Sequence, residues 1–340
     1  MRKLATIGCV LTLCCSMAWA GPLKVEQVAG DAQWVAHVDV AVLLKSGIAK
    51  FILEEAEKKQ DFLEGISKFR ETFGFDPLKD IRGLTLYGKK LGDDKAVLVM
   101  DATMDQQKIV ALLKSNDTYK EHEYGDYTIH QWTDPPKPAK EPGAPPKPAK
   151  TNYGAFYDAK TVLVGSTVDL LKGAIDAMKD KGKSLAKSDA LKILPKPAAG
   201  VFALAAAEGI KLPPNAKPDK AALLRNVRDV TLQIGEKEGD TFLSLTALTA
   251  TPERALKLRQ VIQGFVALGQ MMLAEQENLP ALGEKVQVTG QENVVQVNAA
   301  VPTESLVKMI VFLAERKKKA EAGKQRVEAP RDRKQAGTVD

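Results

Sequence analysis

Asp80-Ile81-Arg82-Gly83-Leu84-Thr85-Leu86 lines up without a gap on Asn226-Val227-Arg228-Asp229-Val230-Thr231-Leu232, and the same offset carries on downstream. Asp94 meets Asp240, Val97-Leu98-Val99 meets Leu243-Ser244-Leu245, and Thr103 meets Thr249. The order of elements around these stretches also repeats, and a fixed-spacing repeat implies one supersecondary unit used again. The sequence is therefore read as a body built twice.

In the first unit, Trp34 to Val40 alternates apolar and polar residues as a half-buried strand does. Phe62, Ile66, Phe69 and Phe73 then make one apolar helical stripe, closed by Gly74 as a residue that tolerates positive φ. Leu84–Tyr87 and Ala96–Met100 read as a hairpin, Asp105–Lys114 as a helix, and Tyr127–Trp132 with Ala155–Gly165 as a second strand pair. A helix over Thr167–Lys179 follows, with Leu170, Leu171, Ala174, Ile175 and Met178 on its apolar face.

The second unit has strands at Val201–Ala206, Val230–Ile234 and Thr241–Leu248, then a long helix. Thr251 caps that helix and Pro252 occupies its first position, where no amide hydrogen is needed. Leu258, Ile262, Phe265, Leu268 and Met272 are its expected core face. Strands at Val286–Thr289 and Asn293–Asn298 and a helix from Glu304 to about Arg316 complete it. The expected fold is α+β: two tandem β-α-β-β-α-β-β-α units with mostly antiparallel sheets and helices on one face. The units span 21–195 and 196–316. A Pro-rich loop insertion at 135–150 holds Pro-Pro-Lys-Pro-Ala-Lys twice, and 317–340 reads as a disordered basic tail.

Residues 1–20 carry a signal-peptide pattern. Arg2 and Lys3 precede an apolar run from Leu4 to Met17, and Ala18-Trp19-Ala20 supplies small residues ahead of Gly21. Export to the periplasm or beyond, with cleavage after Ala20, is the expectation. No later segment reaches the ~20 apolar residues of a membrane span. All three cysteines, Cys9, Cys14 and Cys15, fall inside this leader, so the mature chain has no thiol for a disulfide, a nucleophile or a metal.

The formal charge of +6 is unevenly placed. Without Arg2 and Lys3 the mature chain is +4, and residues 315–340 alone, with nine basic and five acidic residues, carry +4. The body is neutral, which argues against nucleic acid as a partner. Any polyanion affinity belongs to the tail and its run Arg316-Lys317-Lys318-Lys319, whose charges also suit a helix C-terminus.

Residues that could carry chemistry are few. His37 and Asp39 lie two apart on a strand and face the same way, as a base and its orienting carboxylate would. No nucleophile elbow accompanies them, and a polar outer strand face explains both. His122 and His130, with Glu121 and Glu123 nearby, lack the spacing of a metal site and read as surface polarity. Gly165-Ser166-Thr167 joins a strand to a helix, where phosphate can bind, yet no nucleotide motif surrounds it and an ordinary N-cap accounts for the residues. Tyr87, Trp132, Tyr153, Phe156 and Tyr157 gather on the first unit's strands, where aromatic residues commonly fill a core. No catalytic, metal or cofactor residue is assigned.

The stretch Phe73-Gly74-Phe75-Asp76-Pro77-Leu78-Lys79-Asp80-Ile81-Arg82-Gly83-Leu84-Thr85-Leu86-Tyr87-Gly88, with His37-Val38-Asp39 before it, resembles uncharacterised exported bacterial proteins built from a duplicated α+β unit. The resemblance implies export and duplication and brings no activity with it. The functional expectation is an exported, non-catalytic binding or scaffold protein of the cell envelope, its partner an envelope protein or polysaccharide. The alternative is an exported hydrolase-type enzyme whose site is assembled from dispersed residues such as His37 and Asp39. A third reading is a polyanion binder acting through the tail.

Overall fold

The computed structural model describes residues 21–91, 95–136, 146, 148–211, 226–274 and 285–327. Most of the Pro-rich insertion, the leader and residues 328–340 lie outside the described residues. The chain runs β1 (Trp34–Asp39), α1 (Val40–Leu43), α2 (Gly47–Glu57), α3 (Gln60–Phe73), β2 (Ile81–Gly88), β3 (Ala96–Ala102), α4 (Gln106–Lys114), β4 (Lys120–Tyr124), β5 (Tyr127–Asp134), β6 (Lys150–Phe156), β7 (Thr161–Gly165) and α5 (Val168–Lys179). It continues through β8 (Val201–Ala207), β9 (Asp229–Lys237), β10 (Asp240–Leu248), α6 (Pro252–Ala274), β11 (Val286–Gln291), β12 (Val294–Pro302) and α7 (Thr303–Val327).

The fold is α+β, and the described residues form one antiparallel sheet of twelve strands in the order β11-β12-β10-β9-β8-β1-β2-β3-β7-β6-β5-β4. β1 and β8 pair at its middle, from Trp34 opposite Ala207 to Val38 opposite Ala203. The helix boundaries follow local chemistry. Asp39, Ser46, Asp105 and Thr167 each accept a hydrogen bond from a backbone amide three residues on, capping α1, α2, α4 and α5. Gly74 ends α3 at φ +77°.

Helices do not all share one face, contrary to expectation. Directly paired residues in a sheet point to the same side. Val35 pairs with Tyr87 and Ala206, Tyr87 with Val97, and this face carries the first core, where Leu163 of β7 and Leu171 and Ile175 of α5 are fully buried. Traced onward, the same face continues as Thr231, Thr246 and Gln296. α6 packs instead on the alternate residues, with Ala255 and Leu258 clustered against Ala247 and Val295. The two halves put apolar residues on opposite sides, and each helix follows its apolar side.

Three local expectations also change. Ala155–Gly165 is two strands, β6 and β7, joined by the turn at 157–160, and β4 adds an edge strand. Lys-Glu-His-Glu-Tyr hides that strand in the sequence because charged residues protect an edge from further pairing. Of the expected α6 stripe, Leu258 is buried but Phe265 and Leu268 are more than half exposed. A helix of 23 residues is about 34 Å long, well beyond the hairpin it rests on. Finally, the helix expected to stop near Arg316 runs to Val327, because Ala, Glu, Lys, Gln and Arg favour helix even without a core to face. No helix among the described residues is long and apolar enough to cross a membrane.

Leu171 is fully buried and Phe265 is mostly exposed. Leu171→Ala should cost about 2–5 kcal/mol through lost burial and the cavity left behind. Phe265→Ala should stay within about 0.5 kcal/mol. Urea titrations of the two variants beside the parent chain check both.

Candidate functional site

The structure buries several of the polar residues singled out in the sequence. His37 and Asp39 are both more than nine-tenths buried, on the α5 side of the sheet, so neither lies on a polar outer face. Their environment absorbs them structurally. His37 Nδ1 is 2.8 Å from Thr85 Oγ1 on the neighbouring strand, and Asp39 Oδ1 accepts from the Val42 amide at 3.0 Å as the cap of α1. His37 Nε2 is buried without a hydrogen-bond partner, although the Gly21 backbone beside it favours a proton there. Asp39 thus holds a helix end and does not orient the imidazole.

His130 is buried as well, with Nδ1 2.7 Å from the Tyr119 hydroxyl, which donates to Glu121 at 2.6 Å. His122 Nε2 meets Gln131 Oε1 at 2.7 Å. His122 pairs with Ile129 while Glu121 pairs with His130, so the two imidazoles point to opposite faces. Among the described residues no cluster of His, Cys, Asp and Glu could hold a metal ion. Thr167 is the ordinary N-cap of α5, accepting from the Leu170 amide at 3.3 Å.

A different place stands out. Between α5 and the end of the β2–β3 hairpin lies an open cleft of about 830 Å³, within the 300–1,000 Å³ usual for small-molecule sites. Five segments enclose it: 29–32, 87–89, 95–97, 167–176 and 182–188. Small residues at Ala29, Ala32, Gly173 and Ala174 share the lining with charged ones at Asp31, Lys89, Lys95, Asp169, Asp176 and Lys183. Gly173 lies inside α5, where glycine costs about 1 kcal/mol against alanine; it is exposed, and a Cβ there would meet nothing within 4 Å.

Tyr87 supplies the polar group of the wall. Its side chain is almost wholly buried, and its hydroxyl has no hydrogen-bond partner. The hydroxyl lies by the Ala29 backbone and near Asp31, which line the cleft too. Burial pushes its pKa far above that of a free tyrosine, so the hydroxyl stays protonated. At the rim, Asp31 pairs with Lys89, and Asp176 accepts a hydrogen bond from Tyr124 at 2.8 Å. Of the five aromatic residues singled out in the sequence, only Tyr87 lines this cleft. Tyr157 stacks on Tyr127 with ring centres 5.4 Å apart, and Trp132 lies over Gly154. Composition alone could not have found the site, since its residues are common types drawn from separate segments; the one local signal is a glycine within the strong helical pattern of Thr167–Lys179.

No family model matches the chain, and no curated protein does. Among solved structures, the chain is similar to crystal form I of TP0453, at 10% identity with a TM-score of 0.40 over 87% of this chain and 99% of that one. Crystal form III gives 10% identity and a TM-score of 0.41 over 86% and 99%. Likeness at this level carries no argument about function.

Two predictions follow from these environments. Removing a buried hydroxyl that has no partner relieves its desolvation cost, so Tyr87→Phe should leave the ligand-free protein as stable as the parent or about 1 kcal/mol more stable. Thermal melts without added ligand decide this. Burial lowers the pKa of both His37 and His130 below 6.5. The unfolded chain then binds protons more readily, so stability is full above about pH 6.5 and falls as the pH drops toward the depressed folded values. Urea midpoints between pH 7.5 and pH 5 should fall in the parent and fall less in His37→Gln/His130→Gln.

Proposed function

We propose that this chain is an exported, non-catalytic binding protein of the cell envelope, and that the cleft beneath α5 is its ligand site. The observation that carries this reading is the cleft itself: about 830 Å³, bounded by five separate segments that bring small side chains and charges of both signs together. The engagement of His37 by Thr85 and of Asp39 by the α1 amide supports a structural use of both groups over the hydrolase alternative. The leader pattern ahead of Gly21 supports export.

The two-fold construction belongs to the same proposal. From the central β1–β8 pair outward, one half runs β1-β2-β3-β7-β6 and the other β8-β9-β10-β12-β11. The positions matched in the sequence, Asp80–Leu86 against Asn226–Leu232, fall on or beside β2 and β9. This supports a duplicated α+β unit whose copies met edge to edge. The extra pair β4–β5 lies at the outer end of the first half, where an insertion leaves the common strands undisturbed.

The full chain, expressed in a bacterium and recovered from the envelope fraction, should begin at Gly21 by N-terminal sequencing. Retention of residues 1–20 in the cytoplasm would count against export. In thermal melts against a chemically mixed small-molecule panel, at least one compound should raise the parent's midpoint and lose that effect in Gly173→Leu. Leucine suits helix better than glycine, so this variant folds while its side chain occupies the cleft.

A further inference from the structure

The two ends of the sheet are finished differently. Counted outward from the β1–β8 seam, the fifth strand is β6 on one side and β11 on the other. β6 is covered by β5, which β4 covers in turn, whereas β11 has no strand beyond it among the described residues. The ends also differ in chemistry. β4 reads Lys-Glu-His-Glu-Tyr, and the charges of Lys120, Glu121 and Glu123 discourage a further strand. β11 reads Val-Gln-Val-Thr-Gly-Gln, with no charge and no proline, and it follows β12 from Val286 to Gln291 without a bulge. It carries none of the devices that protect an edge.

The open backbone groups of β11 can be named. The Thr249 amide donates to the Asn293 carbonyl, so the chain bonds toward β10 at Asn293 and toward β11 at Val294. Bonded and non-bonded pairs alternate along an antiparallel ladder. Gln291, Thr289 and Gln287 therefore bond to β12, and Val286, Val288 and Gly290 direct their N–H and C=O groups away from it. α6 covers one face of this hairpin, where Val288 packs against its core cluster, but a helix over a face leaves the edge open. Gln287 and Thr289 lie on the other face with exposed side chains.

We propose that β11 pairs antiparallel with β11 of a second copy of this chain, giving a two-fold dimer with one continuous sheet. The β1–β8 seam already joins two halves by antiparallel edge pairing. A second copy is the fitting occupant because the contact closes on itself. About a two-fold axis at Val288, Val286 of each strand meets Gly290 of the other and Val288 meets its own copy, so both edges are satisfied together. The joined sheet then ends on β4 at both sides, where charge stops further growth. Pairing of β11 with the β4 edge of another copy would instead propagate, and it would set Lys120, Glu121 and Glu123 against an uncharged strand. The neutral body offers no net repulsion between copies. A six-residue strand buries little surface, so the dimer is weak and concentration-dependent.

Sedimentation equilibrium on the full mature chain tests this. The average mass should rise from monomer toward dimer between low and high micromolar concentration. In Gln287→Lys/Thr289→Lys the two-fold sets each new lysine opposite another, and the two like-charged pairs should raise the dissociation constant at least about 10-fold. Both positions are exposed, so the far-UV circular dichroism should not change. Amide hydrogen exchange on the unaltered chain gives a second reading that needs no variant. Val286, Val288 and Gly290 should be protected at high concentration and exchange fast on dilution, while Gln287 and Thr289 stay protected at both. A chain that remains monomeric at high micromolar concentration overturns the proposal, and so does a dimer that the two lysines leave intact. Fast exchange of Val286, Val288 and Gly290 at every concentration does the same. Protection there that dilution does not change means that another part of this chain, such as residues 275–284, covers the edge, and it too overturns the proposal. Mass that keeps rising past the dimer means open-ended stacking and overturns it as well.

Discussion

The backbone ladder between β1 and β8 is the constraint from which the rest of the molecule follows. Each half brings one strand to this seam, and pairing them antiparallel turns two sheets into one of twelve strands. It removes two exposed edges at once, leaving only β4 and β11 at the ends, and unpaired edges are what a large sheet must protect. Side chains reinforce the seam. The Glu236 carboxylate on β9 accepts from the Gly47 amide at the start of α2, at 3.0 and 2.9 Å, tying the first half's helices to the second half's sheet. An acidic group at a helix N-terminus also suits the helix dipole.

Joining the sheets makes the side of each half's core a shared matter. Tyr87 and Val35 are core on one side, whereas Ala247 and Val295 are core on the other. Beyond the seam, the α5 side carries Gln233, Ser244, Thr246, Gln296 and Asn298, a polar surface that needs no helix over it. α5 is therefore confined to its own half, and with the turns at 29–32 and 182–188 it forms the cleft. Fully buried Leu171 and Ile175 anchor the helix on the sheet, and exposed Gly173 lies on its flank at the cleft. Rigid elements on both sides are what allow a wall of small residues to remain open without collapsing.

Local chemistry was legible in the sequence and tertiary side was not. Gly74 at a left-handed φ and Thr167 as a cap can each be read from a few neighbouring residues. The matched stretches fall on or beside β2 and β9, but they carry no strand order. What escaped depends on register across many strands: a single sheet shared by both halves, and cores on opposite faces. Strand alternation tells which residues share a face, but not which face a neighbouring strand turns to the same side. His37 and Asp39 were misread for that reason. Polar residues in an alternating strand look exposed, yet here they take the same side as Val35, with His37 Nδ1 against Thr85 and Asp39 capping α1. α6 failed differently: its apolar period is sound, but period cannot say where the sheet beneath it ends.

Gly21 shows how one residue can answer to two demands. In the sequence it follows the small residues Ala18 and Ala20, which suits removal of a leader. In the fold it is buried against β2, where a Cβ would come within 2.8 Å of the Arg82 carbonyl, and a Cβ on Gly83 would come within 2.9 Å of the Gly21 carbonyl. Two main chains meet there at a distance that only glycine on both sides allows. The same contact sets the Gly21 backbone beside the buried ring of His37. The residue at which the mature chain is expected to begin is thus packed into the sheet's first half, close to a histidine whose burial resists protonation, and does not dangle from the fold.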